Sequence, residues 1–331
     1  MRTFRLILLL LFLGYISLWS QEMEMAGLLY GKNYYLPYLP SYSFPGFSPR
    51  SGQQGEITLS LAYTGINDFT TYDNENRALD YEGSIVDLSL TWRPSDNLLL
   101  GVDGRLICYY GGFFDTIIEG WHGFFGLPNS SREYFGRNEI FVDVDNMSGQ
   151  DLHITTPIIS MGDTDLYALW TFYSASNLTL AAAGALKIPT GSLETGSGSE
   201  HVDGGVQLLG EWSFISSWTL HFQQGVVFPW NNSYTAFIQS QTFLGLEYQP
   251  FHNWSFILQT RINTSPISSD RYRTYQNLGT VPLFTLPQTS IQVGVKKSYD
   301  SWGWQIYFEE DPFTYEGSDI LFSLRTFYFF K

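Results

Sequence analysis

The chain has 331 residues, one cysteine, 18% aromatic residues and a formal net charge of −15. A single Cys108 excludes an internal disulfide framework. The acidic balance excludes nucleic acid as a partner, because neutralising a phosphate backbone needs a basic surface.

The first element is a leader. Arg2 and Arg5 precede the apolar run 6–13, then Gly14, with Ser17 and Ser20 before Gln21. This reads as a secretory signal peptide over residues 1–20, cut after Ser20, although Leu18 is bulkier than such sites usually carry. Its loss takes the charge to about −17. No other stretch reaches the roughly 18 apolar residues of a membrane-crossing helix. The mature chain is therefore expected in the periplasm, the outer membrane or the medium.

Residues 21–54 hold Pro37, Pro40, Pro45 and Pro49 among tyrosines and glycines, a pattern that suits neither a helix nor a central strand. Two placements fit: a periplasmic tail, or a plug inside a barrel mouth.

From Gly55 onward, apolar and polar residues alternate in segments of about ten. Val86, Leu88, Leu90 and Trp92 alternate with Asp87, Ser89, Thr91 and Arg93. The same period runs through 98–108, 202–214, 254–263 and 302–309. Segments this long suit a tilted membrane crossing better than a soluble sandwich. Aromatics such as Trp92, Trp170, Trp212, Trp254 and Trp302 sit near segment ends, as two interfacial girdles require. Connections alternate short (94–97, 174–177, 215–217, 250–253, 299–301) and long (66–82, 110–137, 189–201, 265–286, 311–318). The prediction is an all-β fold, an antiparallel transmembrane β-barrel over residues 55–331 with periplasmic termini. The strand count is fourteen, or twelve if residues 138–160 form an external hairpin. The last strand, 320–330, carries Tyr328 and Phe330 on one face, like the terminal aromatic signal read by barrel assembly machinery. Lys331 departs from that signal's aromatic last residue.

Several strings carry a family resemblance: PGFSPRSGQQGEITLSLAYTGINDF (45–69), DYEGSIVDLSLTWRPSDNLLLGVD (80–103), WHGFFGLPNSSRE (121–133), MGDTDLYALW (161–170), LKIPTGS (186–192) and FEEDPFTYEGSDILFSL (308–324). In this order they resemble the outer-membrane barrel family known as domain of unknown function 3187, over nearly the whole mature chain. The resemblance implies a Gram-negative-type outer-membrane barrel and carries no activity.

The predicted lumen face holds Asp87, Asp103, Arg105, Lys187, Asp203, Glu211, Gln259, Arg261, Lys296, Glu309 and Arg325. Such mixed charge either lines a water-filled path and filters ions or knits into salt bridges that seal it. His122 and Arg132, in the longest predicted loop, are candidates for a constriction. Ser130, His122 and Glu133 can be drawn as a triad, but no G-x-S-x-G elbow is present. His122, His153, His201, His221 and His252 show no metal-ligand spacing, so neither metal nor cofactor is expected. Acidic clusters at Asp68, Asp73, Glu75, Asp80 and Glu82, and at Glu309, Glu310, Asp311, Glu316 and Asp319, offer hard oxygen ligands to divalent cations. The expected location is the cell outer membrane, with its lipid and the assembly machinery as partners. The leading function is a channel or transporter for small solutes. The alternatives are a non-transporting structural or surface-interaction barrel and a barrel-embedded lipid-modifying enzyme.

Overall fold

The computed structural model describes residues 27–36, 39, 41–50, 53–71, 77–126, 134–147, 150–230, 238–251, 253–265, 287–311 and 320–330. In chain order its elements are β1 (Ile57–Thr71), β2 (Arg77–Ser95), β3 (Leu98–Tyr110), α1 (Asp115–Phe125), β4 (Phe141–Met147), β5 (Gln150–Ile154), β6 (Ile158–Met161) and β7 (Thr164–Ser174). They continue with β8 (Leu178–Ile188), β9 (Asp203–Ile215), β10 (Trp218–Pro229), β11 (Gln239–Phe251), β12 (Trp254–Asn263), β13 (Gln288–Ser298), β14 (Trp302–Glu310) and β15 (Ile320–Phe330).

All fifteen strands join one antiparallel sheet. Twelve of them close a ring, sealed where β1 pairs with β15 from Ile57↔Phe330 to Asn67↔Ile320. The other three are short. β4 and β5 make a hairpin attached to the far end of β2 through Leu79↔Val142 and Asp80↔Phe141. β6 continues the line of β7 along β3, from Tyr109↔Ile158 to Leu106↔Met161. The alternation in 141–154 therefore belongs to a hairpin outside the ring, residues 158–161 continue the wall along β3, and the ring has twelve strands. Most of the predicted 66–82 loop is strand instead, because β1 and β2 keep pairing up to Thr71↔Arg77.

The period of two sets the faces. Leu59, Leu61, Leu88, Leu90, Val206, Leu208, Leu244, Phe256, Leu258, Val293 and Phe322 point outward and are exposed. Their neighbours, including Ser60, Asp87, Gln207, Gln259 and Ser323, point inward and are buried. An apolar exterior around a polar interior is the inverse of a soluble barrel and matches a bilayer. At the short-turn end, Trp92, Trp170, Phe172, Trp212, Phe214, Trp302, Tyr328 and Phe330 form an exposed aromatic belt. Trp218 stacks on Tyr248 there at 4.4 Å. No described helix is long and apolar enough to cross a membrane, so any crossing is made by strands.

Candidate functional site

The interior is occupied by the chain's own N-terminal segment. Residues 27–36 run from the short-turn end toward the long-loop end, and 41–50 return beside them. Asn33 N–H donates to Ser43 Oγ across the two limbs at 3.0 Å. Gly46 lies against the Leu29 carbonyl, where an added Cβ would come within 2.3 Å. Among the described residues this segment pairs with no strand, so its buried backbone groups need partners other than a β-ladder.

Glutamine side chains of the wall satisfy them. Gln259 (β12) accepts Leu29 N–H at 2.8 Å and donates to the Leu29 carbonyl at 3.4 Å. Gln305 (β14) does the same at Tyr30, at 3.1 and 2.9 Å. Gln223 (β10) clamps Phe47 at 3.3 and 2.6 Å. Gln241 (β11) accepts Phe44 N–H at 2.8 Å and donates to the Tyr42 carbonyl at 3.0 Å. A primary amide carries a donor and an acceptor side by side, so each glutamine replaces one rung of a β-ladder. Glu247 and Asp203 accept the N–H groups of Gly27 (3.0 Å) and Tyr42 (2.8 Å).

Charges add further ties. Lys32, buried, sits 2.7 Å from Asp103 and 2.6 Å from Asp165. Arg105 reaches the same Asp165 at 2.5 Å. Tyr30 Oη donates to Asp103 at 2.6 Å, and Tyr34 Oη donates to Asp87 at 2.5 Å. The Arg325 guanidinium lies 3.5 Å over the Tyr30 ring, a cation–π contact. Lys296 donates to the Gly27 carbonyl at 2.8 Å and to that of Leu28. Glu211 takes Ser48 Oγ at 3.1 Å and faces Arg50 at 3.4 Å. His221, fully buried, lies 3.3 Å from Glu211 and 2.9 Å from Glu247.

Apolar side chains of the segment enter sockets that glycines leave in the wall. A Cβ on Gly205 or Gly225 would meet the Phe44 ring at 2.9 and 2.8 Å. One on Gly245 would meet Leu28 at 2.1 Å, and one on Gly294 would meet Leu29 at 2.7 Å. Tyr42, Phe44 and Phe47 pack with Tyr167, Leu169 and Leu209 in one buried cluster. Tyr34, Tyr35, Leu36 and Leu39 join Tyr81, Tyr109 and Tyr307 in another.

All eleven predicted lumen residues are buried on the inner face. Asp87, Asp103, Asp203, Glu211, Gln259, Lys296 and Arg325 touch the N-terminal segment as described. Arg105 is held to Asp165. Lys187 pairs with Asp163 at 3.1 Å and Asp203 at 3.0 Å. Arg261 and Glu309 pair with each other, and Gln292 donates to Glu309 at 2.5 Å. Sequence reasoning missed Asp165, Gln223, Gln241, Gln305 and the four socket glycines. Their only sequence signal was an inward position on an alternating strand. His122 is carried on α1, which packs on the outer wall, 3.8 Å from Glu310; it is not aimed into the barrel mouth. Arg132, Ser130, Glu133, His252, Asp73, Glu75, Glu316 and Asp319 lie outside the described residues. Asp68 accepts the Tyr81 hydroxyl at 2.7 Å. Among the described residues, no group of three or more His, Cys, Asp or Glu side chains is arranged to hold a metal.

A solved structure described as the COG4313 outer membrane channel from Pseudomonas putida F1 is similar, with a TM-score of 0.56 and 13% identity over 86% of this chain and 98% of that one. At that identity the likeness establishes the fold. The KdgM porin (TM-score 0.44, 8% identity, 83% of this chain and 99% of that one) and the Pseudomonas putida toluene transporter TodX (0.40, 9%, 92% and 99%) are more distant and carry no argument. No curated protein matches the sequence. The family described as "Protein of unknown function (DUF3187)" matches residues 39–316, and the chain belongs to it.

Proposed function

We propose that the protein is a gated outer-membrane channel for small polar solutes, and that residues 27–50 are its plug. The observation that carries this reading is the way the hairpin is held. It crosses a lumen lined by Asp, Glu, Gln, Lys and Arg, through non-covalent contacts that water can replace one by one. A lumen of that polarity is wettable once the hairpin leaves. The COG4313 protein, described as a channel, points the same way. The pore-lining residues would then be the eleven named above, joined by Asp165, Gln223, Gln241 and Gln305.

Single-channel recording of the folded, full-length mature chain tests the proposal. The expected record is a closed baseline broken by discrete openings. A conducting record with no closed level overturns the gate. Silence that persists when the plug's contacts are weakened supports a second reading, a permanently sealed structural barrel. The glycine sockets around Phe44, Leu28 and Leu29 favour that second reading, because they fit the hairpin closely.

Tyr328 and Phe330 lie exposed on the outer face of β15, where we place the signal for the assembly machinery. Replacing both with Ala is expected to slow insertion into the outer membrane. The measurement is the fraction showing heat-modifiable migration on gels; an unchanged fraction would remove the signal from these residues.

A further inference from the structure

Helix α1 has its polarity reversed. A surface helix of a water-soluble protein turns its apolar stripe inward and its charges out. Here Asp115, Ile118 and His122 are buried against the wall, and Glu119 is half-buried beside Arg137 at 2.5 Å. The outward face carries Thr116, Ile117, Gly120, Trp121, Gly123 and Phe124, with no charged residue among them. Phe124 is 82% exposed, Ile117 54% and Trp121 39%; Phe113, just before the helix, is 62% exposed.

The barrel holds the helix in this orientation. Glu82 of β2 points outward, and its carboxylate accepts the N–H groups of Phe113 (2.6 Å) and Phe114 at the helix start. An anion there also meets the positive end of the helix dipole. Gly112, at φ +70°, lets the chain pass this carboxylate; any Cβ would collide with it at 1.7 Å. At the other end, left-handed Gly126 closes the helix with its N–H on the His122 carbonyl.

The exposed face continues a surface already assigned to lipid. Trp121 packs on Phe308 of β14 at 5.6 Å. Phe308 in turn pairs with Val293 and Phe322, both exposed on the outer wall. With eleven residues, α1 is too short to cross a bilayer, which takes about 20. A helix with one apolar face and a ring of Trp and Phe suits the headgroup boundary.

We infer that α1 is an interfacial helix that rests its Phe113–Ile117–Trp121–Phe124 face on the acyl chains of the outer leaflet. The inference relies on the membrane placement of the barrel, not on gating. In the full mature chain with Cys108→Ser, single cysteines are introduced as Phe124→Cys, Ile117→Cys or Leu88→Cys and labelled with NBD. The protein is then placed in phosphatidylcholine vesicles, with folding checked by heat-modifiable migration. Quenchers are a lipid-borne nitroxide near the headgroups and aqueous iodide. The expected result is several-fold stronger quenching by the lipid nitroxide than by iodide at Phe124 and Ile117, as at Leu88 on the barrel belt. Iodide quenching at α1 with lipid quenching at Leu88 overturns the inference and leaves the barrel placement standing. Shielding of α1 from both quenchers, with cross-linked dimers formed by unlabelled Phe124→Cys protein, overturns it in favour of a second copy. Loss of lipid quenching at Leu88 itself overturns both this inference and the membrane placement.

Discussion

Lys32→Met is expected to hold the channel open far more often than the wild type. Lys32 is a fully buried charge of the N-terminal hairpin, 2.7 Å from Asp103 and 2.6 Å from Asp165. Methionine keeps the length and apolar stem and removes the ammonium. With the hairpin in place, Asp103 then keeps hydrogen bonds from hydroxyls alone, Tyr30 at 2.6 Å and Tyr167 at 3.3 Å, with the Arg325 charge nearby but in no ion pair with it. Among the described residues, Asp165 then keeps Arg105 as its ion-pair partner. Breaking a buried ion pair by deleting one partner costs about 3–5 kcal/mol. That cost falls on the closed state alone, because an open lumen hydrates both carboxylates. At about 1.4 kcal/mol per decade, the closed-to-open ratio should fall by roughly two to three and a half orders of magnitude. Asn33→Ala is the comparison. It removes an amide donor to Gln288 at 2.5 Å and the acceptor of the Tyr35 N–H at 3.1 Å, two neutral bonds of about 1 kcal/mol each, and should shift the ratio by about thirty-fold at most. Single-channel open probability is the measurement. Equal open probability in wild type and Lys32→Met, both heat-modifiable on gels, would show that this pair does not hold the gate.

Gly46→Ala should dislodge the return limb through sterics alone. The new methyl would lie 2.3 Å from the Leu29 carbonyl oxygen and 2.9 Å from Leu28 Cβ. Neither neighbour can retreat. Gln259 grips both backbone groups of Leu29, and the Leu28 and Leu29 side chains already fill the sockets at Gly245 and Gly294. Overpacking of this kind costs about 1–3 kcal/mol, so the open-to-closed ratio should rise about five- to 150-fold. Protease cleavage between 27 and 50 should rise with it, while the barrel keeps its heat-modifiable migration. Gly104→Ala is the neutral control, since a Cβ there meets nothing within 4 Å. If Gly46→Ala leaves both open probability and cleavage unchanged, the two limbs do not pack as a unit.

Much of the architecture was legible because a barrel wall obeys a local rule. Each strand's period of two states which residues face apart, and turn lengths state where the wall reverses. The eleven predicted inward residues follow from that rule alone. Whether the wall had twelve or fourteen strands did not follow. Residues 141–154 alternate as the wall does, yet β4 joins only the far end of β2. Periodicity reports a strand's two faces and is silent on its partner. Helix α1 lay within a predicted loop, although Phe113, Ile117, Trp121 and Phe124 have helical spacing. That their stripe points away from the protein needs the wall at Glu82 and Phe308 to be in place.

The sequence by itself determined an outward apolar face, an inward polar face and a closing aromatic strand, because each is written in neighbouring residues. Tertiary structure alone decided what the inward face meets. A glutamine on an alternating strand looks the same whether its amide binds water or clamps Leu29, Tyr30 or Phe47. A glycine looks the same whether it is a weak point or the socket for Phe44. Those meanings depend on contacts between residues more than a hundred positions apart. Only the closed ring, by bringing Gln223, Gln241, Gln259 and Gln305 around one lumen, turns a proline- and tyrosine-rich segment without periodicity into an ordered hairpin.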